Sequence, residues 1–175
     1  RGLQTLVVDG ESGVSDLTPL TDLIGLQSLD VNSAPVSDLG ALKGLRAMRS
    51  LNVGNTDVKD LRPLAALKRL ASLDLVGTLV DDLKHLSGLT SLRELSVRHT
   101  EVSDLAPIEG IRSLRVLDVS KTLVSSLAPL SRLTSLQILS LRGTPISDLT
   151  HLQHLKSLKS LDVRDSKVAS MAAIG

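Results

Sequence analysis

Apolar residues recur along this chain on a beat of 22. Aligned on its leucines, the sequence divides into units beginning at Leu3, Leu26, Met48, Leu70, Leu92, Leu114, Leu136 and Leu158, each step being 22 residues except the first, which is 23. Positions 1, 4, 6, 11, 14, 17 and 20 of every unit are filled by Leu, Val, Ile or Met as far as the chain reaches. One column shows the fidelity: Val14, Val36, Val58, Val80, Val102, Val124, Ile146 and Val168. The extra residue of the first unit falls in the glycine-bearing stretch DGESG, where a loop can absorb it.

The period changes inside each unit. Positions 4 and 6 are apolar around one polar residue, as in LDV at 29–31, 117–119 and 161–163, which predicts a short strand with one buried face. Positions 14, 17 and 20 are spaced by three, which suits a 3₁₀ or irregular turn packed by one edge. Asp16, Asp38, Asp60, Asp82, Asp104 and Asp148 hold position 13, with Ser126 and Ser170 in the remaining units, all residues that cap a helical turn. A unit of strand, bend, capped turn and return cannot cover its own apolar edge, so stacking on neighbours must supply the stability.

Composition supports this reading at one point. Phe, Tyr and Trp are absent from a chain that is 42% hydrophobic. A compact core uses large rings to fill irregular space, whereas identical slots can be filled by identical aliphatic side chains. The charges nearly cancel, twenty Lys and Arg against nineteen Asp and Glu, which gives no large net field toward nucleic acid or an anionic membrane. Without cysteine there is neither a disulfide framework nor a thiolate metal site. No segment is apolar enough to insert in a bilayer.

The recurring frame, seen in LNVGNTDVKDLRPLAALKR and LSVRHTEVSDLAPIEGIRS, resembles the 22-residue leucine-rich repeat class shared by bacterial internalins and a eukaryotic regulator of protein phosphatase 1. The DLTPL, DLRPL, DLAPI and DLAPL segments resemble the internalin version most. Position 9 departs from it: the family commonly has Asn, and here the column reads Ala34, Thr56, Thr78, Thr100, Thr122, Thr144 and Ser166. The resemblance implies an α/β fold, a right-handed leucine-rich repeat horseshoe with a parallel sheet on its concave face and short 3₁₀ or irregular turns on its convex face. It also implies a bacterial cell-surface, secreted or host-delivered location. Residues 1–175 are expected to form one domain of about eight repeats cut from a longer protein, because internalins carry a cap before and further domains after such repeats. An inward hydroxyl at position 9 is expected to bond backbone groups that the bend leaves unpaired.

The stretch LRELSVRHTEVSDLAPI, residues 92 to 108, packs Arg93, Glu94, Arg98, His99, Glu101 and Asp104 together, residue types that could form a catalytic cluster. Assigned to their columns these side chains diverge, so no acid, base and nucleophile meet within the ~3 Å that catalysis requires. His85 and His151 share a column three repeats apart, about 14 Å at ~4.8 Å per strand, and His151 with His154 lack a third ligand, so no metal or cofactor site is expected.

Variation on the concave columns is more informative. Position 5 alternates acidic and neutral residues from Asp30 onward, and position 7 carries Arg98, Arg142 and Arg164 in the second half of the chain. Arg98 and Arg142 are expected to reach diagonally to Asp74, Asp118 or Asp162. Val116 and Ile138 stand side by side at position 3, where other repeats have Ser, Thr or Glu. The expected function is noncatalytic recognition of another protein through the concave face, at Arg98, His99, Val116, Asp118, Lys121, Ile138, Arg142 and Arg164. A scaffold or spacer role is the alternative, and nucleic-acid binding ranks last because no aromatic ring can stack a base.

Overall fold

The computed structural model describes residues 2–174. Eight strands pair in sequence order, β1 to β8, in one wholly parallel sheet. They span Thr5–Val7, Ser28–Asp30, Ser50–Asn52, Ser72–Asp74, Glu94–Ser96, Val116–Asp118, Ile138–Ser140 and Ser160–Asp162, which are positions 3 to 5 of each unit. The register never slips: Leu6, Leu29, Leu51, Leu73, Leu95, Leu117, Leu139 and Leu161 pair in one inward row. Among the described residues the helical part of each unit is 3₁₀ throughout, as spacing by three at positions 14, 17 and 20 requires.

The ladder is longer than its three-residue strands. At position 2, each backbone carbonyl accepts the N–H of the same position in the next repeat, as in Ala71 to Arg49 and Arg115 to Arg93, both 2.7 Å. At position 8 the N–H groups of Ser33, Asn55, Gly77, His99, Lys121 and Gly143 reach the position 7 carbonyl of the following repeat, at 2.6–3.0 Å. Both the approach to each strand and the bend beyond it are therefore held in register.

The interior is a stack of aliphatic rows. From Leu26 to Leu155 every periodic apolar side chain is at most 4% exposed. In the outermost repeats Leu6, Val8, Leu161 and Val163 are only partly covered, because each packs against one neighbouring repeat instead of two. The hydroxyls of Thr56, Thr78, Thr100, Thr122 and Thr144 are buried and donate to the position 6 carbonyls of Val53, Leu75, Val97, Val119 and Leu141 at 2.6–2.8 Å. These carbonyls begin the bend, and the hydroxyl satisfies them inside the core.

Two local expectations change. Asp at position 13 does stabilise each 3₁₀ turn, but from one residue farther out than an N-cap. Its carboxylate accepts the N–H two residues on, at 2.7–2.9 Å in all six repeats that have it, with Leu of position 14 between. This is an Asx turn, in which a short carboxylate closes on its own backbone. The additional residue of the first unit is taken up by a separate 3₁₀ turn, Gly10–Ser12. The Asp9 side chain caps it at the Ser12 N–H, and Gly13 ends it at φ 64°.

Candidate functional site

The sheet's exposed face is built by positions 3, 5 and 7, with position 8 at its rim. Val116 and Ile138 are register partners in β6 and β7, as their shared column predicts. Val116 is half-buried, while Ile138 is 45% exposed, an apolar side chain among hydroxyls and charges. Beside Val116 the Glu94 carboxylate leans toward the Ser72 hydroxyl, 3.2 Å away. A shallow trough of about 260 Å³ opens there between β4 and β6, lined by Ser72, Asp74, Glu94, Ser96, Val116 and Asp118. Only Val116 and Asp118 of the sequence candidates line it; the trough reaches back into repeat four.

The expected diagonal charge lattice does not form. Asp30, Asn52, Asp74, Asp118 and Asp162 turn their side-chain oxygens onto the position 7 N–H of their own strand, in Asn32, Gly54, Val76, Ser120 and Arg164, at 2.8–3.0 Å. A two-residue closure fixes fewer rotors than a long arginine reaching across strands, so the local bond wins. Arg142 instead pairs with Asp165 of the next repeat at 2.9 Å, and Arg164 pairs with Asp162 two residues before it at 2.6 Å. The Arg164 guanidinium and then its N–H hold the Asp162 carboxyl at about 2, well below the ordinary 3.8. Arg98 has no ion pair among the described residues, and its side chain is free on the surface.

Repeats five and seven break the backbone rule as well. Their position 5 residues are Ser96 and Ser140, which leave the Arg98 and Arg142 N–H groups without an acceptor among the described residues. The Ser140 hydroxyl turns sideways to that of Ser120, 2.6 Å away. Each of these two arginines thus adds an open main-chain donor to its guanidinium.

Position 8 holds a feature that pattern reading missed. Ser33, Asn55, Gly77, His99, Lys121, Gly143 and Asp165 all have positive φ, from 54° to 67°. Left-handed backbone costs an ordinary residue roughly 1–2 kcal/mol, and glycine is the relaxed choice. The two glycines, the Asn and the Asp gathered in this column were the signal available in the sequence. His99 and Lys121 occupy it in adjacent repeats, and partial loss of hydration, then the nearby Lys121 and Arg98 charges, hold the His99 imidazole below its ordinary 6.5.

No family model matches the sequence, and none of the curated proteins does. Among solved structures, internalin C2 of Listeria monocytogenes is 25% identical with a TM-score of 0.93, the match covering 98% of this chain and 75% of that one. An internalin F of the same organism is 24% identical, TM-score 0.82, covering 98% and 64%. The repeat ectodomain of the Arabidopsis thaliana membrane receptor kinase GASSHO1/SCHENGEN3, solved in complex with Casparian strip integrity factor 2, is 21% identical, TM-score 0.75, covering 87% and 20%. The chain is a leucine-rich repeat protein whose units resemble internalin repeats.

Proposed function

We propose that this leucine-rich repeat solenoid is a noncatalytic recognition module that binds another protein through the exposed face of repeats five to seven. Val116 and Ile138 would be covered by the partner, while Arg98, His99, Lys121 and Arg142 frame them, with Asp118 and Arg164 at the margins. The observation that carries this reading is the coincidence at repeats five and seven. In these two repeats an Arg at position 7 comes with a Ser at position 5, so the side-chain acceptor for the Arg N–H is lost, whereas Arg164 of repeat eight keeps Asp162 as its acceptor. Guanidinium and open N–H together suit the carboxylates and carbonyls of a polypeptide.

Two further observations support it. His99 and Lys121 stand in a column where Gly77 and Gly143 show that glycine fits, so these side chains are kept against a backbone cost. Repeat ectodomains of related architecture are known in complex with named factors, as in the plant receptor kinase above. The polar groups of the face are bonded to backbone or spread along strands, an arrangement suited to contact over an area instead of to a reacting centre.

The test places a photo-crosslinking amino acid at Ile138, or at Ser28 or His151 as controls on the quiet and convex surfaces. Capture is expected only from Ile138. The captured protein should then lose at least ~2 kcal/mol of affinity, about thirtyfold, for Ile138→Asp with Arg142→Glu. Ser28→Asp with Asn32→Glu should leave it unchanged. Equal capture from all three positions, or unchanged affinity for the first pair, would return the module to a scaffold role.

A further inference from the structure

The repeat columns separate charges that the total nearly cancels. Positions 21, 22 and 2 form the side of the solenoid where the chain approaches each strand, and they hold nine of the twenty cationic residues and none of the nineteen acidic ones. Position 2 supplies Arg49, Arg93, Arg115 and Lys159; position 21 supplies Arg46, Lys68, Arg112 and Lys156; position 22 supplies Arg69. All nine are exposed. The ion pairs of the described residues draw instead on Lys59, Arg62, Lys84, Arg142 and Arg164, so this row is left unneutralised. Glu94 is next to Arg93 in sequence but turns to Ser72 on the sheet face. On the opposite side, position 13 alone carries six aspartates.

The row is also rigid and shaped. Arg49, Arg93 and Arg115 project from the position 2 ladder, whose N–H···O bonds run 2.7–2.8 Å from repeat to repeat. The Lys68 ammonium is braced on the Gly88 carbonyl at 3.1 Å. Two adjoining depressions lie along it. One, about 620 Å³, is rimmed by Arg46, Lys68 and Arg69 over a floor that includes Ala47 and Ala66, with Ile24 closing its outer end. The other, about 460 Å³, is rimmed by Arg49, Arg69 and Arg93 over Ala71 and Ser91. Cations around a floor of small residues leave room for an oxyanion at each step. From β3 to β6 the row sets seven cations along three strand spacings, about 14 Å at ~4.8 Å each.

We infer that this row is a binding track for a linear sulfated polysaccharide running parallel to the solenoid axis. A charge array that runs from repeat to repeat along the stacking axis fits a chain better than a bilayer, and the large apolar side chain exposed beside it, Ile24, stands at one end instead of forming a band along it. Six of the nine cations are arginines, whose planar, weakly hydrated fork suits sulfate oxygens. A single-stranded nucleic acid shares the charge but needs aromatic platforms for its bases, and the chain has no aromatic residue. The track is separate from the protein-binding face, so each can fail alone.

A heparin octasaccharide, titrated into the intact chain at 50 and 300 mM NaCl, tests the inference. Binding is expected at the lower salt and a steep loss at the higher. Arg49→Glu with Arg69→Glu and Arg93→Glu should weaken it at least tenfold. Lys59→Glu with Arg62→Glu and Lys84→Glu, the same change of charge on the other side, should alter it less than twofold. Gln replacements at the three track arginines serve if melting shows the Glu variant unfolded. Val116→Ser with Ile138→Ser, which removes the apolar pair of the sheet face, should leave it intact. The inference is overturned by absence of binding at 50 mM, by equal losses in the two triple variants, or by oligothymidylate of matched charge binding as tightly.

Discussion

Repeats two to four and repeats five to seven share one backbone and differ in what they leave undone. In the first group Asp30, Asn52 and Asp74 each satisfy the N–H two residues on, and the bend that follows is occupied by Ser33, Asn55 and Gly77, short side chains or none. In the second, Ser96 and Ser140 forgo that bond, arginines stand at position 7, and His99 and Lys121 take the left-handed bend. Both halves bend through left-handed backbone, but one keeps its position 7 donors bonded, while the other leaves two of them open, sets longer side chains at two of its bends and exposes Ile138 on the sheet face. Departures from the locally best residue that cluster on one surface are what separates a candidate contact from scaffold.

The largest test of the comparison lies beneath both halves. Thr100→Val should destabilise by about 1–3 kcal/mol in urea denaturation, because the Val97 carbonyl that accepts its hydroxyl at 2.6 Å is stranded in the core. Ala34→Thr, which supplies the hydroxyl that repeat two lacks at that column, should shift the midpoint the other way. An unaltered midpoint for Thr100→Val would show that the buried hydroxyls are incidental.

Next comes an exchange between the two patterns. Ser96→Asp should give the Arg98 N–H the acceptor that its counterparts have and raise stability by about 0.5–1.5 kcal/mol, while weakening partner binding by closing that donor. Asp118→Ser should cost a similar amount by freeing the Ser120 N–H, now held at 2.8 Å. If both substitutions leave the melting temperature where it is, the position 5 bonds do not distinguish the halves.

A smaller gain is expected from Lys121→Gly. Relief at φ 55° is offset by the greater freedom of glycine in the unfolded chain, leaving about 0.5–1 kcal/mol of added stability together with weaker partner binding. Gly77→Lys in the quiet half should lose stability without touching binding, and a loss of binding there would widen the site beyond repeats five to seven.

The smallest effect is acid sensitivity. Asp162 is lowered from 3.8 to about 2 by the Arg164 side chain and N–H, and Asp60 and Asp82 are lowered chiefly by bonds from Arg62 and Lys84. A carboxylate whose folded value is depressed stabilises fully above its unfolded value and loses that contribution as pH falls through the folded one. Melting temperature should therefore be flat down to about pH 4 and decline toward pH 2, with a shallower decline for Asp162→Ala. The change is small because water screens these exposed groups. A decline centred near pH 6 would point to histidines instead.

Much of the molecule was legible in its columns. The eight strands fall on the predicted alternation, the spacing by three became 3₁₀ turns, and the threonine hydroxyls point inward to the bend carbonyls. Val116 and Ile138 are neighbours because a constant 22-residue step fixes register. The track of positions 21, 22 and 2 was equally available in the sequence, but net charge conceals it; only summation by column separates Arg46, Arg49 and Arg93 from the aspartates of position 13. The targets of the polar side chains were not legible. Asp118 could reach a cross-strand arginine or its own backbone, and Arg142 could reach Asp118, Asp162 or Asp165 with nearly equal sequence cost.

The sequence by itself determined the repeat, the strand register, the buried rows and the inward threonines, because each is imposed by period and by the need to bury apolar faces identically from unit to unit. Only the tertiary structure decided which donor meets which acceptor on the surface. Those outcomes depend on competing bonds of similar strength, separated by fractions of an ångström and by the rotor entropy of reaching them, and a pattern of residue types does not rank such alternatives.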